Sequence, residues 1–348
     1  MKHRALGRSG LLVSRVCLGT MTFGQKEWGC DRDTAVKITR SFIDAGGTFI
    51  DTADMYSDGV SEEMLGEGIR GTDRDNLVIA TKCWFRRGPT PNAKGLSRKH
   101  VMEACEASLR RMHLEYVDLY QIHGPDPATP VEETMRALDD LVRAGKVRYI
   151  GCSNLYAWQI VKANAVAERM GLERFISGQY MYSLLRRDVE REILPACDAE
   201  GMGLMCWSPL ASGMLTGKYR GKEAPEASSR IGIRARIDLP RYWNPESLRL
   251  VEEVASVAGE EGRSMPQVGL SWLLHDPRVS AVIIGARNVE QLSDNCRSGD
   301  WDLPDAQWRR LESLVPFAWG YPKDWMDLTF GANLGGEEAA SRWKERLP

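Results

Sequence analysis

Apolar positions in this chain fall into short runs rich in valine, isoleucine and leucine, and most are followed by a longer stretch whose apolar residues recur at helical spacing. Eight runs are present: VCLG (16–19), TFIDT (48–52), LVIATK (77–82), VDLYQIH (117–123), VRYIGCS (147–153), FISGQY (175–180), GLMCWS (203–208) and AVIIG (281–285). They are apolar on both faces instead of strictly alternating, which suits parallel strands covered by helices. The clearest helix is 130–144, where Pro130 stands at the start, Val131, Met135, Leu138, Leu141 and Val142 share a face, and Gly145 is the stop. Others are predicted near 33–45, 97–112, 155–170, 187–200 and 245–262.

Eight strand–helix units with no Pro/Gly/Ser-rich linker between halves predict a closed (β/α)8 barrel of the TIM type over residues 1–315, not an open doubly wound sheet. Two stretches fall outside the repeat. Residues 209–244 form a long connection after the seventh strand, a length usual for lids and binding loops. Residues 316–348 read as a C-terminal extension that packs on a barrel end or trails.

Lysine plus arginine (46) nearly balance aspartate plus glutamate (48), and no long run of one sign occurs, so neither nucleic acid nor a membrane is expected as partner. A small ligand is; the oligomeric state is left open. The eight cysteines include no C-x-x-C pair and no nearby histidine cluster, which points to reduced thiols of a cytoplasmic protein and to no metal site. The N-terminus MKHRALGRSG carries no signal-peptide pattern.

GEGIRG, Gly66 to Gly71, matches the glycine spacing of a Rossmann phosphate turn. Such a turn must leave a strand and open a helix, because the phosphates need free N–H groups at a helix start. Here the glycines close a helix: Ser61 reads as its N-cap, Glu62 and Glu63 suit its first turn, and Gly71 its stop, with Gly66 and Gly68 packing helix on sheet. GMLTGKY (213–219) resembles a Walker A loop but is one residue short and ends in tyrosine, so no nucleoside triphosphatase is expected.

In a barrel the carboxyl ends of the strands converge on one face. Those ends present Asp51, Lys82 and His123, with Tyr56 five residues after Asp51. A phenol has an ordinary pKa of about 10 and needs a nearby cation to trade protons near neutrality. Lys82 is that cation, Asp51 keeps it charged, and His123 can orient a carbonyl oxygen or share the proton. The set fits reduction of a carbonyl, with a hydride added to carbon and a proton to oxygen. Each residue alone could be a satisfied structural group; four complementary types on three successive strand ends favour chemistry.

The stretches GGTFIDTADMYSDGVSEEMLGEGIR, LVIATK, VDLYQIHGPD, VRYIGCSN, WSPLASGMLTGKY and GARNVEQLSDN together resemble the aldo-keto reductases, from about residue 3 to about 315. The resemblance implies a single barrel that uses NADPH without a Rossmann domain. Carried over, Tyr56 is the general acid, and Asp51, Lys82 and His123 complete the tetrad. Ser153, Asn154 and Gln179 would hold the nicotinamide carboxamide, and Trp207 stands where the family stacks an aromatic, often tyrosine, on the ring. Ser208, Leu210, Ser212, Gly213 and Lys218 would line the pyrophosphate. After the eighth strand, Gly285 admits a close approach, Arg287 offers a guanidinium to a 2′-phosphate, and Asn288, Gln291 and Asn295 recur along one helix face. Asn288 and Gln291 also read as a capping box, but a capping box does not account for Arg287, which favours NADPH. Ile284 replaces a proline frequent in the family.

The family's substrate pocket lies in loops above the mouth, which here carry Trp28, Met55, Trp84 and Phe85; these serve equally as core. Two other functions stay in view. One is a cofactor-binding regulatory module, as in potassium-channel β subunits of the family. The other is a Schiff-base aldolase with Lys82 as nucleophile.

Overall fold

In a computed structural model of the chain, residues 1–314, 317, 319–326 and 329 are described. The extension anticipated at 316–348 lies outside these residues except for 317, 319–326 and 329.

Among the described residues ten strands form: β1 (His3–Ala5), β2 (Leu12–Ser14), β3 (Val16–Gly19), β4 (Phe49–Asp51), β5 (Val78–Cys83), β6 (Val117–Ile122), β7 (Val147–Ser153), β8 (Phe175–Met181), β9 (Gly203–Trp207) and β10 (Val279–Ile284). The last eight close into a parallel barrel in chain order, β10 pairing back onto β3. Each corresponds to one of the eight apolar runs. The runs look continuous because both faces are buried: along β3, Cys17 points into the barrel with Phe49, Val78, Ala80, Leu119 and Met205, while Val16 and Leu18 meet the helical layer. The antiparallel hairpin β1–β2 was not anticipated. Its Leu6 and Val13 join the interior core, and the Arg8 amide bonds to Gly201 at the foot of β9, so it plugs the end opposite the strand carboxyl termini.

Helix Val131–Arg143 runs between Pro130 and the left-handed Gly145, with Met135, Leu138 and Leu141 buried. The helix foreseen at 187–200 breaks into a 3-10 turn, Asp188–Glu190, and a short helix, Ile193–Ala199. Pro195 has no N–H for the carbonyl of Arg191, and its ring would crowd that carbonyl in a continuous helix. Helices Met265–His275 and Val289–Cys296 complete the later units. The connection 209–244 contains two short helices, Arg230–Ile233 and Ala235–Tyr242. Among the described residues no helix is long and apolar enough to cross a membrane. All eight cysteines are buried and unpaired.

GEGIRG does close a helix, Val60–Gly68, but three details differ from expectation, the first being that Ile69 is the C-cap and Gly71 lies beyond the end. The N-cap is left-handed Gly59; Ser61 lies inside the first turn, buried, where its hydroxyl donates to the Thr20 carbonyl at 2.8 Å. The glycines pack helix on helix, not on sheet. A Cβ on Gly66 would come within 2.7 Å of the Met112 carbonyl, and one on Gly68 within 2.7 Å of the Thr39 side chain. Because the Met112 obstacle is backbone and cannot swing aside, Gly66→Ala is expected to cost about 1–3 kcal/mol, read as a lowered Tm.

Candidate active site

The carboxyl rim of the barrel brings together all four residues expected there. Asp51 ends β4, Lys82 lies one residue before the end of β5, and His123 follows β6. Tyr56 opens a turn in which Ser57 and Asp58 adopt positive φ, at 47° and 55°, followed by Gly59 at 91°. Two successive non-glycine residues in the left-handed region are costly and tend to occur where a side chain must be aimed, whereas Gly59 adopts it freely. Here Ser57 is anchored by its hydroxyl, which donates to the Phe23 carbonyl at 2.7 Å.

The buried Lys82 ammonium donates to Asp51 Oδ1 at 2.5 Å, to the Thr52 carbonyl at 2.7 Å and to the Tyr56 hydroxyl at 3.3 Å. The second Asp51 oxygen accepts from Gln121 Nε2 at 3.0 Å and Gln179 Nε2 at 2.9 Å, and Gln179 Nε2 also reaches Gln121 Oε1 at 3.2 Å. Gln121 was not singled out in the sequence: a mid-strand glutamine carries no signal until the barrel sets it opposite Lys82. The imidazole of His123 meets Tyr56 and Phe85 edge-on, with ring centroids 6.0 Å and 5.0 Å apart.

Burial alone would push the Lys82 ammonium down, but Asp51 and Tyr56 more than offset it, and its pKa stands above the ordinary value. Burial raises the Tyr56 phenol, and the nearby Lys82 charge only partly opposes that, so Tyr56 holds its proton at neutral pH. His123 is pushed well below its usual range by burial and then by Lys82, and is a neutral imidazole. The rim therefore offers a protonated phenol beside a fixed cation, the state required of an acid.

Above these groups opens a cavity of about 620 Å³. Phe85, beside His123, and Met55 and Trp28 line it, as do Asn154, Gln179, Trp207, Ser208, Leu210, Ser212, Gly213, Lys218, Gly285, Arg287, Gln291 and Asn295. Four expected residues do not line the cavity: Lys82 lies buried behind Tyr56, Asn288 caps the helix after β10, and Ser153 and Trp84 are held elsewhere. Ser153 is buried, its hydroxyl donating to the Gln179 carbonyl at 2.9 Å and accepting from Asn154 Nδ2 at 2.9 Å, so it braces Asn154 from behind. Trp84, at φ 155°, turns away to pack edge-on against Phe85, and its indole N–H donates to the Pro125 carbonyl at 2.9 Å.

Positive φ recurs at Ser208, Ala211, Ser212 and Gly213. A Cβ on Gly213 would sit 2.8 Å from Lys218 Nζ, so only glycine lets that ammonium fold over the loop. Asn288 accepts from the Gln291 amide at 2.9 Å, while Gln291 Oε1 accepts from the Arg287 amide at 3.1 Å. Capping thus uses the backbone of Arg287 and leaves its guanidinium at the exposed edge of the cavity. Glycines that admit close approach, several cations and apolar side chains line this one cavity, a combination that suits an anionic dinucleotide. The sequence had marked 209–244 only as a long loop; its helices add Arg230, Arg234, Asp238, Arg241 and Tyr242 to the cavity wall, with Asp238 accepting from Ser212 at 2.8 Å and pairing with Arg234 at 3.1 Å.

Residues 15–316 match the family model described as aldo/keto reductase family. A probable voltage-gated potassium channel subunit beta of Oryza sativa subsp. japonica is 40% identical over 305 residues, covering 86% of this chain and 92% of that protein. A putative aryl-alcohol dehydrogenase of Schizosaccharomyces pombe is 37% identical over 341 residues, 89% of this chain and 94% of its own. Versiconal hemiacetal acetate reductase of Aspergillus parasiticus is 35% identical over 342 residues, 91% and 98% respectively. The chain belongs to the aldo/keto reductase family and, with it, to the oxidoreductases.

Proposed function

We propose that the protein is an NADPH-dependent carbonyl reductase in which Tyr56 is the general acid. The observation that carries this is the Tyr56 hydroxyl, protonated and 3.3 Å from a buried ammonium at the floor of the cavity. NADPH, when bound, would supply the hydride for the carbonyl carbon. Tyr56 would give its proton to the carbonyl oxygen, and Lys82 would stabilise the phenolate left behind. Neutral His123 would hold the oxygen by a hydrogen bond. Gln179 commits its amide hydrogens to Asp51 and Gln121, leaving its carbonyl oxygen, with Asn154, for the nicotinamide carboxamide; Trp207 would stack on the ring. Lys218 and the loop at 208–213 would take the pyrophosphate, and Arg287 the 2′-phosphate.

Aromatic aldehydes are the proposed substrate class, supported by Trp28, Met55 and Phe85 at the mouth and by the relative named an aryl-alcohol dehydrogenase. A cytoplasmic site of action is supported by the eight buried thiols. The test is a panel of carbonyl compounds followed by NADPH absorbance, in which aromatic aldehydes should turn over fastest. A relative named a potassium-channel β subunit favours a second reading, a cofactor-dependent regulatory module. Tight NADPH binding with no turnover across the panel would decide for it. Arg287→Ala is expected to raise KM for NADPH about tenfold or more and leave KM for NADH nearly unchanged, since a charge-assisted contact to phosphate is worth about 1.5–3 kcal/mol. Equal effects on both cofactors would remove the 2′-phosphate assignment.

A further inference from the structure

Two residues before Tyr56 lies a carboxyl that carbonyl reduction, as proposed above, does not use. Asp54 is fully buried, and neither of its oxygens has a hydrogen-bond partner among the described residues. An unpaired carboxylate is costly in such a place, whereas the neutral acid is tolerated far better. The backbone around it is fastened to the tetrad. The Asp54 amide donates to the Lys82 carbonyl at 3.2 Å, and the Lys82 ammonium donates to the Thr52 carbonyl at 2.7 Å, so Lys82 grips the Asp51–Tyr56 segment on both sides of Ala53.

Every element packed around Asp54 contributes a titratable or charged group: Glu62 from helix Val60–Gly68, Lys82 and Cys83 from β5, Arg87 from the loop beyond, Arg111 from helix Arg98–Met112, Tyr120 from β6, and Tyr56. None of these cations donates a hydrogen bond to Asp54, although Arg87 Nε is itself buried without a hydrogen-bond partner. Arg111 Nε donates to Glu62 Oε2 at 2.6 Å, and Arg87 donates to exposed Asp58 at 3.0 Å. Glu62 also accepts from the Thr81 hydroxyl at 2.6 Å.

We propose that Asp54 is a positioning residue for proton donation: held as the neutral acid, it leaves Lys82 the dominant charge on Tyr56, and once ionised it weakens Tyr56 as a donor. Burial, followed by the charge of Glu62, places its titration at about 7. His123 titrates well below that range and supplies no step there. The proposal rests on Tyr56 being the general acid.

Three measurements on the full chain test it. Infrared difference spectra of wild type against Asp54→Asn should show a protonated carboxyl band that fades as pH rises through about 7. In the wild type, kcat for an aromatic aldehyde should fall about three- to tenfold across the same step; Asp54→Asn should stay on the low-pH plateau, and Asp54→Glu should restore a step. Since a carboxyl with a raised pKa loses stability between its ordinary and its folded pKa as pH rises, Asp54→Asn should show no Tm gain over wild type below the ordinary carboxyl range, a gain that grows as pH rises from there, and a constant gain above about 7. A merely structural aspartate would move Tm and leave the rate profile alone, which overturns the proposal; so does a missing band in acid. A band without any carbonyl turnover in wild type sinks the reductase reading, and the coupling with it.

Discussion

Tyr56→Phe is expected to lower kcat for carbonyl reduction by about two to four orders of magnitude, the usual contribution of a positioned acid, and to leave NADPH affinity within about twofold. The substitution removes one oxygen and keeps the ring. Lys82 retains its bonds to Asp51 and Thr52, so the floor of the cavity is preserved, and the residues proposed to hold the cofactor are untouched. Single-turnover rates would report the chemistry, and fluorescence titration the binding. Loss of both together would mean that the phenol hydroxyl supports the cavity and not the proton transfer. Unchanged turnover would remove Tyr56 from the mechanism.

The second large effect falls on both stability and activity. Lys82 and Asp51 are an ion pair with almost no solvent exposure, 0% and 2% for their side chains. Deleting one partner of such a pair strands a buried charge, at about 3–5 kcal/mol. Lys82→Met is therefore expected to lose that much in urea unfolding and to lose reduction as well, because Tyr56 would have no cation to stabilise its phenolate. Lys82→Met combined with Asp51→Asn should recover much of the stability, since no unpaired charge remains, and none of the activity. If the double variant were as unstable as the single one, the cost would lie in packing and not in charge. The raised pKa of Lys82 gives the sign of the pH dependence: the pair stabilises fully below the ordinary lysine pKa and is lost only as pH climbs through the folded one. A lysine so firmly charged is a poor nucleophile, and borohydride should trap no Schiff base on it.

Much of this was legible in order along the chain. Strands buried on both faces read as unbroken apolar runs, so all eight barrel strands were visible, and Asp51, Lys82 and His123 were visible as their polar endings. The misreadings share a cause. Ser61 looks like a cap because serine before glutamates usually is one, but the Thr20 carbonyl from a distant strand end claims its hydroxyl. Trp84 and Phe85 are neighbours of like chemistry, yet successive side chains leave the backbone in different directions, and only Phe85 faces the cavity. Residues 209–244 lack a strong period, and their short helices exist by packing on the barrel rim.

By itself the sequence determined the repeat, the order of the strands and the residue types at their carboxyl ends, because local periodicity and strand-end position are properties of neighbouring residues. Only the tertiary structure decided that Asp51 shares its charge with Gln121 and Gln179, that Ser153 stands behind the cavity wall, and that Asp54 is buried without a partner. Those facts depend on which residues, 70 and 128 positions apart for Asp51 and its two glutamines, barrel closure sets within hydrogen-bonding distance, and no local pattern encodes a contact of that range.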